Sequence, residues 1–418
     1  MGIRHGIGLR KFPYPFRAAC TIANDIDRMD WETFVYVRKL LNLKMGLEIA
    51  DSFWMYSVKP DTDDAFTYFE GLSENKGQYA EKLIKLIRLG YVDCLHTYGN
   101  FSQKGGFSRE HAKKALEELN KQSIEITTWV DHGDSHNFQN ISSYGDAPWD
   151  VSADGNKTKV LEYHTDLLIN YGVKYIWDGR LSLIIGQDRK ANIIEFIFSK
   201  GVHPLNVIRQ IRDYIVDKVK GKNIISNRLL VPKLLRDGRK AYSFCRYGAW
   251  EKGVPSALPE LLSEKNLKKL IKVKGYMIVY NHLGKETCEG KGLHDDSVQA
   301  ALYRLKKEYN SGNIWVTTTS KLLHYNMIRG GLRWEQKGIG DNIIINITHV
   351  EDPVLGRILP EQNDLQGITF CVPAPEKTKL LIRGNEIDST IIGQRTISIA
   401  LKQLENRAIE KVLGKSYE

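Results

Sequence analysis

The chain of 418 residues is longer than one ordinary hydrophobic core supports, and it carries a formal charge of +10 at pH 7. Hydrophobic residues make up 42% and charged residues 26% of the chain, a composition that is typical of a globular protein and argues against disorder. The five cysteines are scattered and form no Cys-x-x-Cys pair, which argues against a disulfide framework and a structural zinc knot.

The location and the partners follow from the same bulk properties. No apolar run is long enough to span a membrane and the N-terminus lacks the apolar core of a secretion signal, so a cytoplasmic location is expected. The positive charge is compatible with a sugar nucleotide, a lipid-linked pyrophosphate or a peripheral membrane contact. The lysines are spread over presumed helix faces, so nucleic acid is not expected as a partner, while a homo-oligomer is left open.

Strand and helix patterns alternate from residue 17 to about residue 329. An apolar strand over 17–24 runs into an acidic cluster at 25–27, and an amphipathic helix over 79–90 leads to a second strand over 91–100. The later patterns are a helix capped by Ser108, a strand at 124–130, a helix and strand ending at 179, a strand at 239–248, a helix at 258–272, a strand at 275–282, a helix at 295–310 and a strand at 313–319. This alternation predicts an α/β fold in which reactive residues gather beyond the carboxyl ends of parallel strands.

The pattern changes after about residue 330. Six short β-type runs, separated by Gly, Pro, Asn and Asp turns, predict a small β-sandwich, and residues 401–413 have helical spacing. We therefore expect two domains, over 1–329 and 330–418.

Two carboxylates, Asp25 and Asp27, follow the first strand. In such a loop one acid can bind a divalent metal ion while the other takes a proton from water, whose pKa the ion lowers from about 15.7 towards about 7. A solvated turn or a helix-capping pair is the alternative interpretation of the same spacing.

Histidines follow two further strands of the predicted sheet. His96 and Asn100 are four residues apart, so an imidazole and a side-chain oxygen can reach one ion, although His96 could also be a buried histidine bonded to backbone. His132 and His136 lie on either side of Gly133, which permits a tight turn. The two histidines either bind a metal ion or a substrate, or they belong to a polar surface loop that has no such role.

A fourth histidine, His282, ends the apolar strand at 275–282. Its unperturbed pKa of about 6.5 lies near working pH, so it can protonate a leaving amine.

The order of these motifs, D-x-D, then H-T-x-x-N, then a polar loop, then a late strand ending in histidine, resembles the NodB-homology polysaccharide deacetylases over residues 15–325. The resemblance implies a distorted β/α barrel and one divalent ion, zinc or a similar metal. It also implies that Asp25 is the catalytic base, that Asp27 and His96 are metal ligands, and that His282 is the general acid.

The chain also departs from the family's pattern. Asn100 stands where the family has histidine, so His132 or His136 can complete the ligand set instead. The family's arginine-proline motif is absent, and HGDSHN occupies its place. Another alignment equates Asn24 and Asp25 with the paired acids, which makes Asp25 the ligand and leaves no base.

Four more residues near strand ends are candidate substrate contacts, namely Asp178, Arg180, Arg246 and Trp250. Arginines suit an anionic or carbonyl group of a substrate, with surface salt bridges as the alternative. Trp250 can stack on a sugar ring or pack in the core.

Together these residues predict metal-dependent amide hydrolysis, with an N-acetylated amino sugar or glycan precursor as the substrate. Deformylation or hydrolysis of another C–N bond would use the same ion and base. A carbohydrate-binding protein that has lost its base is the alternative from a different class.

Overall fold

Strands and helices alternate along the chain in the computed structural model, which describes residues 6–27, 29–58, 66–101, 106–132, 137–141, 155, 157–198, 226–287 and 289–414. The strands are β1 (Gly8–Leu9), β2 (Ala18–Asn24), β3 (Asp51–Tyr56), β4 (Thr67–Phe69), β5 (Val92–Leu95), β6 (Thr128–Val130), β7 (Tyr175–Trp177), β8 (Leu181–Ser182), β9 (Arg189–Lys190), β10 (Ser226–Asn227), β11 (Leu230–Leu234), β12 (Lys240–Phe244), β13 (Arg246–Tyr247), β14 (Tyr276–Asn281), β15 (Ile314–Val316), β16 (Leu332–Ile339), β17 (Asn342–Asp352), β18 (Gly356–Ile358), β19 (Thr369–Cys371), β20 (Thr378–Ile382), β21 (Asn385–Glu386), β22 (Thr390–Ile391) and β23 (Thr396–Ser398). The α-helices are α1 (Trp31–Arg38), α2 (Ala80–Arg88), α3 (Arg109–Lys121), α4 (Thr165–Tyr171), α5 (Ile193–Ile197), α6 (Leu258–Leu261), α7 (Glu264–Val273), α8 (Asp296–Asn310), α9 (Thr319–Gly331) and α10 (Asn406–Leu413).

The main sheet contains 12 strands, ten of which follow the order β11-β12-β7-β6-β5-β3-β2-β14-β13-β8. Along this path the strands pair in parallel, except that β11 is antiparallel to β12. Strands β12 and β13 lie near opposite ends of the path but are separated in the chain by Cys245 alone. The sheet therefore curls into a half-barrel, since one chain segment joins both of its flanks.

Both faces of this sheet are covered. Every residue of β2 is buried, and its side chains alternate between two hydrophobic clusters, as the two-residue period of a strand requires. Cys20 and Ile22 belong to the cluster that contains the outer helices, whereas Ala19 and Ala23 belong to the cluster that contains α9 and the C-terminal sheets.

The region after residue 330 forms two further sheets. One contains β16, β17, β18, β20 and β21. The other has the strand order β1-β19-β23-β22, so β1 from the start of the chain pairs with β19. Each of the six predicted β-type runs contains a strand. A β-sandwich remains a prediction, as does the boundary at residue 330.

Several elements differ from the predicted ones. The strand predicted at 239–248 is two strands, β12 and β13, which lie near opposite ends of the sheet path. The helix predicted over 258–272 is two helices, α6 and α7, because Ser263 has an extended backbone (φ −60°, ψ 153°) and begins a new helix. The helix predicted over 401–413 begins only at Asn406. Strand β3 and helix α1 were not predicted, although β3 lies beside β2 in the centre of the sheet. No helix within the described ranges combines the length and the apolar character that a bilayer crossing needs.

A buried ion pair fixes the end of α1 to β3. Arg38 and Asp51 have fully buried side chains, and Arg38 Nη2 lies 3.0 Å from Asp51 Oδ1. Asp51 also accepts a hydrogen bond from Asn24 Nδ2, and Asn24 Oδ1 accepts from the Leu283 N–H at 2.5 Å. Burial raises the pKa of Asp51 to about 6, although the charge of Arg38 partly offsets that rise. The network joins α1, β3 and β2 to the loop after β14.

We predict that Arg38→Met lowers the free energy of unfolding by about 3 kcal/mol, because removing one partner leaves an uncompensated buried charge. Urea denaturation followed by circular dichroism measures the effect. The control is Lys268→Met, which removes an ion pair with Glu264 in which both side chains are 69% exposed, and it should leave the midpoint unchanged. Equal midpoints for the two variants would contradict the assigned role of the buried pair.

Candidate metal centre

Polar side chains from four strand ends meet at one edge of the main sheet. Asp25 and Asp27 follow β2, His96 follows β5, His132 follows β6 and His282 follows β14. Because these strands run in parallel, their carboxyl ends lie on the same side of the sheet. Residues that are far apart in the sequence are thereby neighbours.

Asp27 is the centre of this group. Its Oδ1 lies 3.1 Å from His132 Nε2, and its Oδ2 lies 3.3 Å from His96 Nε2. The three residues can offer ligand atoms that all lie within 4.8 Å of one another, a spacing that can hold one metal ion.

The unused hydrogen-bonding capacity of these atoms fits a cation. Asp27 Oδ2 and His96 Nε2 are both buried, and neither makes a hydrogen bond of acceptable geometry although they lie 3.3 Å apart. A buried polar atom without a partner is costly, and a divalent ion would satisfy both atoms together. The donor set of two imidazoles and one carboxylate suits zinc and similar ions.

Backbone carbonyl groups orient two of the imidazole rings. His96 Nδ1 lies 3.3 Å from Val130 O, and His282 Nδ1 lies 2.7 Å from Gly253 O. Since a carbonyl oxygen only accepts, each Nδ1 donates to it, and each ring turns its Nε2 towards Asp27. For His96 this is the orientation that a metal ligand requires. The indole of Trp54 stacks on His96 with 5.7 Å between ring centroids.

The third imidazole is held through its backbone. Asn140 makes two hydrogen bonds to the His132 backbone: Asn140 Oδ1 accepts from the His132 N–H at 3.1 Å, and Asn140 Nδ2 donates to His132 O at 2.9 Å. Asn140 therefore fixes the backbone position of His132.

The imidazoles stabilise the ionised form of Asp27. Burial by itself would raise the pKa of Asp27, but the charge of His282 and the close imidazole contacts of His132, His282 and His96 hold that pKa well below its usual range. The site therefore favours a negative charge at its centre.

The second carboxylate, Asp25, is bound by Arg246 rather than by the histidines. Arg246 Nη1 donates to Asp25 Oδ2 at 2.6 Å and Nη2 donates to Oδ1 at 3.0 Å, and both side chains are only 1% exposed. Burial alone would raise the pKa of Asp25, but Arg246 and then His96 and His282 lower it below its ordinary value. The guanidinium also lies 4.0 Å from the ring centroid of Trp177.

His282 contacts the same carboxylate oxygen as His96. Its Nε2 lies 3.3 Å from Asp27 Oδ2, and its ring meets that of Tyr280 edge-on at 5.1 Å. It is buried but does not belong to the three residues that can share one ion.

This geometry bears on the alternative alignment, in which Asn24 and Asp25 correspond to the paired acids. The side chain of Asn24 bonds to Asp51 and to the Leu283 N–H, and Asp27 is the acid that faces the histidines. The arrangement favours the alignment in which Asp27, and not Asp25, is the acid that faces the histidines.

Two further residues, Asn100 and His136, were predicted as ligands. Asn100 is buried in the loop after His96. His136 lies outside the described residues. The metal-ligand roles of both stay predictions.

The predicted substrate contacts lie on the same side of the sheet. Ser243 Oγ donates to Asp178 Oδ1 at 2.8 Å, and Arg180 Nη1 donates to Ser243 O at 3.2 Å. Burial raises the pKa of Asp178. Trp250 is 37% exposed and packs against Trp177 and, edge-on, against Tyr280. Their roles towards a substrate stay predictions.

Sequence reasoning missed the residues that support the site from behind. Ser52 Oγ accepts from the Ile26 N–H at 3.0 Å and so shapes the loop that carries both acids, while Trp54 backs His96. Both belong to β3, whose apolar run of Phe, Trp, Met and Tyr at 53–56 is the signal that could have revealed it.

Comparison of the chain with protein-family models, with curated protein sequences and with solved structures finds no match. The resemblance to NodB-homology deacetylases therefore stays a prediction that depends on the motifs and on the geometry described above.

We predict that the purified protein binds one zinc ion per chain, because three ligand atoms converge on one point. Loss of a residue that only supports a metal ligand weakens metal binding about 10–100-fold. Asp27→Asn and His132→Gln remove proposed ligands, so each should weaken zinc binding by more than that. Chelator competition measures the affinity. His294→Gln is the control, since His294 is exposed and lies outside the cluster, and it should bind as the wild type does. A wild type that takes up no divalent ion would contradict the site.

Proposed function

We propose that this protein is a metal-dependent hydrolase that removes the N-acetyl group from an amino sugar or glycan precursor. The observation that carries the proposal is the pair of acids on one loop, of which Asp27 faces three imidazoles and Asp25 is held by an arginine. One acid is thus suited to hold a cation and the other to accept a proton. The motif order that resembles NodB-homology deacetylases supports the same reaction.

The residues that would hold the ion are Asp27, His96 and His132. Three protein ligands are the number found in catalytic zinc sites, which keep one position for water or substrate. A divalent ion there would supply a Lewis acid that polarises an amide carbonyl and lowers the pKa of water.

Asp25 is the proposed general base. Its carboxylate lies on the same loop as Asp27 and is ionised beside Arg246, so it can take a proton from the attacking water. The paired hydrogen bonds from Arg246 hold the carboxylate in one orientation, which reduces the entropy lost in reaching a reactive geometry. Arg246 therefore acts as a positioning residue in this proposal.

His282 is the proposed general acid. The carbonyl of Gly253 holds its Nδ1, and its Nε2 lies beside Asp27, on the opposite flank of β2 from His96 in the order of the sheet. A proton on Nε2 can pass to the departing amine, which would otherwise be a poor leaving group.

The aromatic residues next to His282 support a sugar as the substrate. Trp250 is partly exposed and packs against Trp177 and Tyr280, and the ring of Tyr280 in turn contacts that of His282. Aromatic ring faces stack on the C–H surfaces of sugar rings.

We predict that Asp25→Asn lowers the turnover of an N-acetylated amino sugar by about 10²–10⁴-fold, the usual contribution of general base catalysis. Zinc binding should persist, because Asp25 is not among the three ligands. Acetate release from a panel of N-acetylated hexosamines and their nucleotide conjugates measures turnover, with His294→Gln as the matched control. An unchanged rate in Asp25→Asn contradicts the role of Asp25, and release of formate from N-formyl sugars in place of acetate identifies a deformylase.

A second substitution separates positioning from substrate binding at Arg246. We predict that Arg246→Lys lowers kcat by about tenfold or more and leaves KM unchanged, since lysine keeps the charge but cannot form the paired hydrogen bonds to Asp25. Steady-state kinetics of acetate release give both parameters. A rise in KM at constant kcat would instead assign Arg246 to the substrate.

A further inference from the structure

A cleft of about 460 Å³ opens on the side of the main sheet opposite to the metal centre. Its lining includes four cationic side chains and two aromatic rings, which are Arg10, Lys11, Arg17, Lys274, Phe12 and Phe16. Pockets of about 300–1,000 Å³ are the size that holds small ligands.

The cleft lies at the amino ends of the central strands. Arg17 directly precedes β2, and Lys274 comes two residues before β14. Asp25 follows at the far end of β2, and a strand rises about 3.3 Å per residue, so roughly 25 Å of strand separates the cleft from the acids. The two sites are therefore distinct.

The segment that forms the cleft is fixed by backbone hydrogen bonds. The Arg10 N–H donates to Thr369 O at 2.9 Å, Tyr276 Oη donates to Lys11 O at 2.9 Å, and the Arg17 N–H donates to Asn313 O at 3.0 Å. The segment is thus held between the main sheet and the C-terminal sheets, and the cationic side chains are brought together in advance of any ligand.

No carboxylate in the described ranges forms an ion pair with any of the four cations. The charge of Asp188 acts on Lys11, but the Asp188 side chain already accepts from Asn326 Nδ2 and from the Leu229 N–H. Burial lowers the pKa of Lys11 to about 8, and the charges of Arg329 and Arg189 act in the same direction, against that of Asp188. The cleft therefore concentrates positive charge that the described part of the protein does not balance.

The cations have donors available. Lys11 Nζ donates to the carbonyls of Asp188 and Lys274, which uses two of its three hydrogens. Arg10 donates to backbone carbonyls through Nε and Nη2, so its Nη1 remains for a ligand. The side chains of Arg17 and Lys274 are exposed.

We propose that this cleft binds a phosphate-bearing anion, of which a diphosphate group is the best match. The exposed guanidinium of Arg17 can bind two phosphate oxygens as a pair, and Arg10 adds the donors of Nη1. The two lysines add point charges, so the cleft suits an anion with several negative charges. The same chemistry occurs in a soluble phosphate ester and in a lipid headgroup. The site is independent of the metal centre and of the proposed hydrolysis.

The test compares two double variants that remove the same charge. Arg17→Gln with Lys274→Gln alters the cleft, and Lys85→Gln with Lys113→Gln alters exposed positions on α2 and α3. Calorimetric titration with inorganic pyrophosphate, in the presence of a chelator so that the metal centre cannot contribute, measures binding. Sedimentation with phosphatidylcholine vesicles that contain phosphatidic acid tests the lipid source.

The wild type and the Lys85/Lys113 variant should bind with affinities within about twofold of each other, and the cleft variant at least about tenfold more weakly, since two charge-assisted contacts are lost. Binding of pyrophosphate supports a soluble ligand, and binding of the vesicles alone supports a lipid headgroup. The proposal is overturned if the wild type binds neither probe, if both variants weaken equally, or if the chelator abolishes binding.

Discussion

The candidate site depends on the burial of one carboxylate, Asp27, among three imidazole rings. A carboxylate that leaves water must be paired with positive charge or with hydrogen-bond donors, or its burial costs several kcal/mol. Asp27 Oδ2 and His96 Nε2 are both buried and lack a hydrogen bond although they lie 3.3 Å apart. A divalent cation bound between the carboxylate and the imidazoles would satisfy both atoms, because it would accept an electron pair from each.

The fold supports this centre through polar links between strands. Asn24, at the last position of β2, bonds both to Asp51 on β3 and to the Leu283 N–H beyond β14, so the loops on either side of β2 are tied to one side chain. On the far flank, the short passage from β12 to β13 brings Arg246 to Asp25. The curl of the sheet is thus the reason that the two acids of one loop have different neighbours and can take different roles.

The sequence alone was informative where chemistry follows a strand directly. Asp25, Asp27, His96 and His282 could be located because each comes at the end of an apolar run, and parallel strands end at one edge. Asn100 and His132 follow different strands, so the choice between them depends on the order of strands in the sheet and not on spacing along the chain. Strand β3 was missed, and with it the polar network of Asp51 that supports the loop of the acids. The pairing of Asp25 with Arg246 joins residues too distant in sequence for any local pattern to indicate.

Anomalous X-ray diffraction from crystals of the zinc-loaded protein can test this metal centre, because it locates the ion without reference to activity. We expect a single strong peak within bonding distance, about 2.0–2.2 Å, of an Asp27 oxygen and of the His96 and His132 nitrogens. A peak bound by other residues, or none at this edge of the sheet, would contradict it.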